Sequence, residues 1–305
     1  MQVRAALSLL LLALSLTAQD PPPHVKQIRI PKIARKPLLE EFVNGASRPD
    51  MLRIDDFRQR QPNNGTPVSR QTSAWIGYDQ NNFYVVFVCQ SPAGRIRARL
   101  AKREDILSDD IVGVFLDTYH DRQHSYEFFV NPLGIQADAT ENESQSDDFS
   151  FDTLWYSEGR ITPQGFVASF ALPFKSLRFS PEELQTWGFG LGRFIPENNE
   201  SSFWPFITQK IDGFRLQLGT LTGLENISPG RNIRLTPYGA FASSHFLDNP
   251  ATGLPSFNSQ NTPRAGLDAK AVIHSTLTLD VALNPDFSQV ESDDPQVTVN
   301  QRFEV

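Results

Sequence analysis

The chain has 305 residues, with 28 Lys and Arg against 35 Asp and Glu, so its formal net charge is −7. With 39% apolar and 11% aromatic residues it holds enough material for a core and is too apolar for a disordered chain. The acidic balance argues against a nucleic-acid binder, and the single cysteine, Cys89, excludes an internal disulfide or a cysteine-based zinc cluster.

Residues 1–18 read as a secretory signal peptide. Arg4 supplies a positive charge, Ala5 to Leu16 is an apolar run too short to cross a membrane, and cleavage is expected after Ala18. Pro21, Pro22 and Pro23 follow, and residues 19–36 read as a linker. The protein is therefore expected to be exported.

From Ile28 to Leu224 the apolar runs are short and separated by turn residues. Ala74–Tyr78 and Phe83–Val88 flank Asp79-Gln80-Asn81-Asn82, a hairpin signature. Ile111–Leu116 reads as an apolar strand ending at Asp117, and Tyr126–Val130 follows a polar turn. Gly165–Pro173 is a further strand. Trp187–Phe194 is expected to put large side chains on one face and Gly188, Gly190 and Gly192 on the other. Such a glycine face lets a backbone or a ligand approach closely. The helical candidates are Pro181–Gln185 and a turn near Phe174–Leu177. Many short strands with few helices predict an all-β fold, an antiparallel, jelly-roll-like β-sandwich over residues 37–226.

Residues 231–305 differ. Ile233–Tyr238, Leu267–Ile273 and Thr276–Leu283 alternate apolar and polar residues, as strands of a transmembrane β-barrel do. A second sheet of a soluble domain would give the same period. A barrel needs at least about eight strands, so this segment reads as a barrel's truncated start.

Catalytic constellations are few. The histidines His24, His120, His124, His245 and His274 form no H-E-x-x-H, and no G-x-S-x-G is present. His120 and His124 read as parts of a turn, and Cys89 as a small buried hydrophobe. Two acidic clusters stand out: Asp109 and Asp110 with Asp117, and Asp138, Glu141, Glu143, Asp147, Asp148 and Asp152 in an expected loop. They read first as solvated acids. Ca²⁺ binding by their hard oxygen ligands, or glycosidase chemistry by a carboxylate pair, stays open.

The tryptophans are the stronger lead. Sugars stack on aromatic rings while amides, carboxylates and Arg bond their hydroxyls. Trp204 follows Asn198 and Glu200, Trp155 follows the acidic run, and Arg193 lies in the glycine-rich strand. Trp204, Trp155, Arg193, Asn198 and Glu200 are the candidate ligand-binding residues. Trp75 and Trp187 read as core.

Several segments resemble proteins that join a family 9 carbohydrate-binding module-like domain to an outer-membrane β-barrel domain of unknown function. The module pattern matches Ser108–Thr118, Tyr126–Asp138, Phe151–Trp155, Leu172–Phe179, Trp187–Arg193 and Asn199-Glu200; the barrel pattern matches Asn284–Asp293. The sequence departs from the module's opening Ile-Asp-Gly motif, reading Pro37-Leu38-Leu39-Glu40-Glu41-Phe42. The resemblance implies a non-catalytic sandwich that binds a glycan or oligosaccharide in carbohydrate catabolism, held at the bacterial outer membrane or cell envelope by a C-terminal barrel. A glycoside hydrolase or its accessory, and a ligand-free structural domain, are the competing readings.

Overall fold

A computed structural model describes residues 26–45, 48–92, 94–142, 147–229, 233–248, 254, 256–273 and 277–284. The signal-peptide reading, His24, Glu143, His274 and the stretch Asn284–Asp293 beyond its first residue lie outside the described residues.

The fold is all-β. In chain order the elements are β1 (Gln27–Arg29), α1 (Leu39–Val43), β2 (Leu52–Ile54), β3 (Arg58–Gln61), β4 (Thr72–Tyr78), β5 (Asn82–Gln90), β6 (Ile111–Asp117), β7 (His124–Val130) and β8 (Gln136–Asn142). They continue with β9 (Tyr156–Thr162), β10 (Gly165–Pro173), β11 (Leu184–Ile195), β12 (Glu200–Trp204), β13 (Gly219–Glu225), β14 (Ile233–Asp248), β15 (Ser256–Ile273) and β16 (Leu277–Leu283).

Two sheets form the sandwich. One is eight-stranded, ordered β1-β13-β11-β6-β7-β8, with β12 and β3 extending from β11; the other is five-stranded, ordered β2-β4-β5-β10-β9. Their facing sides interdigitate. Phe83 of β5 meets Phe189 and Trp187 of β11 at ring distances of 5.9 and 6.3 Å, and within the five-stranded sheet Phe87 of β5 meets Phe170 of β10 at 5.7 Å. Burying these rings is the main favourable term, about 25 cal/mol for each Å² of apolar surface removed from water. Trp187 is in the core, as expected, while Trp75 is half-buried between Phe42 and the Arg53 guanidinium.

The expected hairpin is present. Asp79 closes it, its Oδ1 accepting the backbone N–H of Asn81 (2.7 Å) and Asn82 (2.8 Å). The apolar strand β6 is buried on both faces, which is why it lacks alternation: Val112, Val114 and Leu116 face the five-stranded sheet, while Ile111 and Phe115 pack on the outer side. Asp117 at its end accepts the backbone N–H of Asp121 (3.2 Å) and Arg122 (2.8 Å), fixing the turn into β7.

Two expectations are corrected. Pro181–Gln185 is not a helix, because β11 begins at Leu184; the Gln185 amide donates to the Ser180 and Glu182 carbonyls and closes a bend instead. The helix lies at α1, where Leu39 and Phe42 are buried on one face and Glu41 accepts the Leu38 N–H at 3.2 Å. Within the supposed linker, residues 26–36 are built into the sandwich: β1 pairs in parallel with β13, and Ile30 and Ile33 are buried.

β14, β15 and β16 make a separate antiparallel sheet. Its register pairs Leu235 with Ala269, Phe241 with Pro263, Leu247 with Phe257 and Leu267 with Leu283. These residues therefore share one face, and Phe241 and Phe257 are 70% and 73% exposed. Thr236, Thr262, Arg264 and Asp268 occupy the other face. The described strands form no closed barrel.

Candidate functional site

The two candidate tryptophans are packed in the core and are not brought together. Trp204, 3% exposed, lies with Phe189 at 5.9 Å and the Lys26 ammonium at 5.8 Å. Trp155, also 3% exposed, stacks on Phe170 at 5.6 Å and meets Phe128 edge-on at 5.2 Å. Neither ring has a solvent-facing side on which a sugar could stack.

The polar candidates are also bonded internally. Arg193 is buried and donates to Thr72 Oγ1 (2.7 Å) and the Gln90 carbonyl (2.8 Å), with longer bonds to the Arg70 and Gln71 carbonyls. It joins the two sheets. Glu200 accepts from Ser69 N (3.1 Å), Asn198 Nδ2 (3.1 Å) and Ser202 Oγ (2.8 Å). Asn198 and Glu200 thus meet each other, and Asn198 also bonds Ser69.

The first acidic cluster is structural. Asp109 accepts from Arg99 Nε (2.9 Å) and Asn131 Nδ2 (3.1 Å), and Asp110 accepts the Arg97 N–H at 2.8 Å. Asp138 lies in strand β8 instead of a loop and accepts Arg103 Nε at 2.9 Å and Thr153 N at 3.1 Å. Burial raises the Asp110 and Asp138 carboxyls, against these donors. His124 pairs with Asp121 at 3.1 Å, and Cys89 is buried, its thiol pushed up to about 11 by desolvation.

The built cleft lies elsewhere, on the outer face of the eight-stranded sheet. It encloses about 810 Å³. Its floor is aromatic. Phe115 on β6 meets Phe129 on β7 at 5.7 Å, Phe203 on β12 at 5.9 Å and Phe214 at 4.8 Å. Glycine on the neighbouring strands makes room for these rings: a Cβ at Gly192 would meet Phe115 at 3.0 Å and Phe203 at 3.1 Å, and one at Gly113 would meet Phe129 at 2.9 Å. The glycine face of β11 therefore receives side chains.

One wall is the segment carrying Phe214 and Arg215. The Gln217 amide holds it, accepting from Thr208 N (2.8 Å) and donating to the Ile211 carbonyl (3.0 Å). The Arg60 guanidinium lies 6.0 Å over the Phe214 ring.

Polar groups line this floor. Glu127, Glu141 and Asp147 each bring a carboxylate oxygen within 4.8 Å of the others, and Arg215 Nη1 lies 3.0 Å from Glu141 Oε1. Burial, then the neighbouring Asp147 and Glu141 charges, pushes the Glu127 carboxyl well above the ordinary carboxylate range. Burial also raises Glu141, opposed by Arg215. Glu127 is thereby held toward its neutral, hydrogen-donating form beside acceptors and guanidiniums, a mixture suited to hydroxyl groups.

Comparisons with known proteins add the following. Residues 229–304 match a sequence family described as a domain of unknown function, DUF5916. No curated protein matches the chain. A solved protein from Bacteroides uniformis ATCC 8492, to which carbohydrate binding is ascribed, shares 13% identity over 65% of this chain and 99% of its own, with a TM-score of 0.49. A family 9 carbohydrate-binding module from Caldicellulosiruptor kristjanssonii, solved with cellotriose and with glucose, shares 12% identity. Those two structures cover 66% and 67% of this chain and 94% and 96% of their own, with a TM-score of 0.43 in each case. At these scores the likeness assigns neither ligand nor site.

Proposed function

We propose that the sandwich is a non-catalytic glycan-binding domain of an exported bacterial cell-envelope protein, and that residues 231–305 supply strands of an outer-membrane β-barrel. The observation that carries the binding reading is the aromatic-floored cleft of about 810 Å³, with carboxylates and guanidiniums at its edge. Sugar hydroxyls bond such groups while the C–H faces of the ring lie on phenyl rings. The floor is held by neighbouring strands, so little ordering is needed on binding. Glycan-array binding by the chain tests this. Binding that Glu127→Gln weakens about tenfold, the equivalent of about 1.4 kcal/mol, supports the cleft. Binding indifferent to Glu127 and Phe214 substitutions would place the ligand elsewhere.

A specific observation favours a second reading. A carboxyl pushed toward its neutral form by burial beside two others is the kind of pairing a glycosidase needs. Turnover of chromogenic glycosides that is abolished in Glu127→Gln would replace the binding reading with hydrolysis.

The barrel reading is supported by the sheet β14–β16. Strands of 16 and 18 residues exceed the roughly 9–11 needed to cross a bilayer, and one face presents Leu235, Phe241, Phe257 and Leu283. An environment-sensitive dye on Phe241→Cys is expected to shift to the blue when the chain meets phosphatidylcholine vesicles, and one on Thr262→Cys is not. Equal spectra would contradict a lipid-facing side.

A further inference from the structure

We propose that the glycan groove continues from the phenylalanine-floored cleft into a second cleft beside the β6–β7 turn, so that the domain holds an internal stretch of a neutral glycan chain. This rests on the glycan reading above and extends it. The second cleft encloses about 440 Å³ and is lined in part by Tyr119, Asp121, Ser125 and Arg178. Glu141 lines both clefts. Each volume lies within the range of about 300–1,000 Å³ that holds one small organic ligand. Two such clefts in series exceed the needs of a single terminal sugar.

The second cleft is built and not incidental. Ser125 is 3% exposed, and its hydroxyl has no hydrogen-bond partner among the described residues. A buried hydroxyl left without a partner is destabilising, so its place in a cleft wall points to a ligand that supplies one. Glu141 sits opposite Ser125 in the β7–β8 register, which puts that hydroxyl where the clefts meet. Tyr119, 44% exposed, offers an accessible ring in the turn.

The turn is held in place. Asp117 accepts the Asp121 and Arg122 N–H groups, and Asp121 Oδ1 accepts Gln123 N (2.8 Å) and His124 N (3.2 Å). Thr118 Oγ1 donates to the Arg178 carbonyl at 2.5 Å, and the Tyr126 hydroxyl accepts the Arg178 N–H at 3.3 Å.

Charge chooses the class of chain. In the second cleft Asp121 and Glu141 face Arg178 and His124. In the first, Glu127, Glu141, Asp147 and Asp212 face Arg60, Arg122 and Arg215. With the His124 ring counted neutral, each cleft has one more acid than base, too small an excess to select a uronic-acid or amino-sugar polymer. Both offer donors and acceptors in mixture, as a hydroxyl-rich neutral chain requires.

The test is an affinity series on the whole chain. The probes are neutral homo-oligosaccharides built on glucose, galactose, mannose and xylose, from monosaccharide to hexasaccharide, with glucuronic-acid and glucosamine oligomers beside them. Affinity is expected to rise about tenfold or more from monosaccharide to tetrasaccharide, and to survive borohydride reduction of the chain end. Tyr119→Ala and Ser125→Ala are expected to weaken the tetrasaccharide about tenfold. Equal affinity for monosaccharide and tetrasaccharide, or loss of binding on reduction, would overturn the chain-interior reading and leave glycan binding standing. Binding confined to the charged oligomers would overturn neutrality. No binding to any probe would overturn the glycan reading and this one with it.

Discussion

Trp204→Ala is expected to destabilise the sandwich by about 3–5 kcal/mol, the usual cost of emptying a buried tryptophan site. The ring is 3% exposed and shares a core with Phe189, Leu191 and Leu221. Truncation leaves a cavity between β12 and the five-stranded sheet, and close-packed neighbours collapse into it only in part. Thermal unfolding of the variant should show this as a lowered Tm, by about 2–4 °C for each kcal/mol in a domain of this size. Any glycan binding should persist at temperatures where the variant remains folded. A variant with unchanged Tm and lost binding would return Trp204 to the role its polar neighbours suggested.

Arg193→Met comes second in expected effect. The side chain is 1% exposed and crosses from β11 to the ends of β4 and β5. Methionine keeps most of the volume and removes every donor. The Thr72 hydroxyl and the Gln90 carbonyl then lose a charge-assisted bond inside the protein, at about 1–3 kcal/mol for each group left unmet. The cation also lies 5.6 Å over the Phe166 ring, a contact methionine does not reproduce. A loss of about 2–5 kcal/mol is expected in urea unfolding, with the slope unchanged. Unchanged stability would mean that the two sheets do not depend on this tie.

The architecture was legible in the sequence wherever local chemistry decides it. Turn residues such as Asp79 and Asp117 mark strand ends because their carboxylates cap the backbone N–H groups that follow. The run Ile111–Leu116 has no polar alternation because both its faces are covered. Pro181–Gln185 looked helical by composition, yet Leu184 and Gln185 pair with Glu225 and Leu224 of β13, and that tertiary pairing overrides a weak local propensity.

The site was not legible, because its parts are far apart in the chain. Phe115 and Phe214 meet only after the segment after β12 folds back over the sheet. Nothing near either residue signals the other. Glu127 was the available clue: it is a carboxylate inside the otherwise apolar strand Tyr126–Val130. The tryptophans misled for the same reason. Exposure of Trp155 depends on Phe170 and Phe128, which come from different sheets. The acidic residues divided likewise. Asp109 and Asp138 are spent on arginines, while Glu141 and Asp147 join Glu127 in the cleft.

The central claim is that the outer face of the eight-stranded sheet holds the glycan. Amide hydrogen exchange of the chain, with and without a glycan selected on the array, tests it most directly. Slowed exchange is expected at residues 121–129, in the β6–β7 turn and along β7, and at 212–217 in the covering segment. Protection confined to residues 198–204, around Trp204, with no change at 121–129, would contradict it.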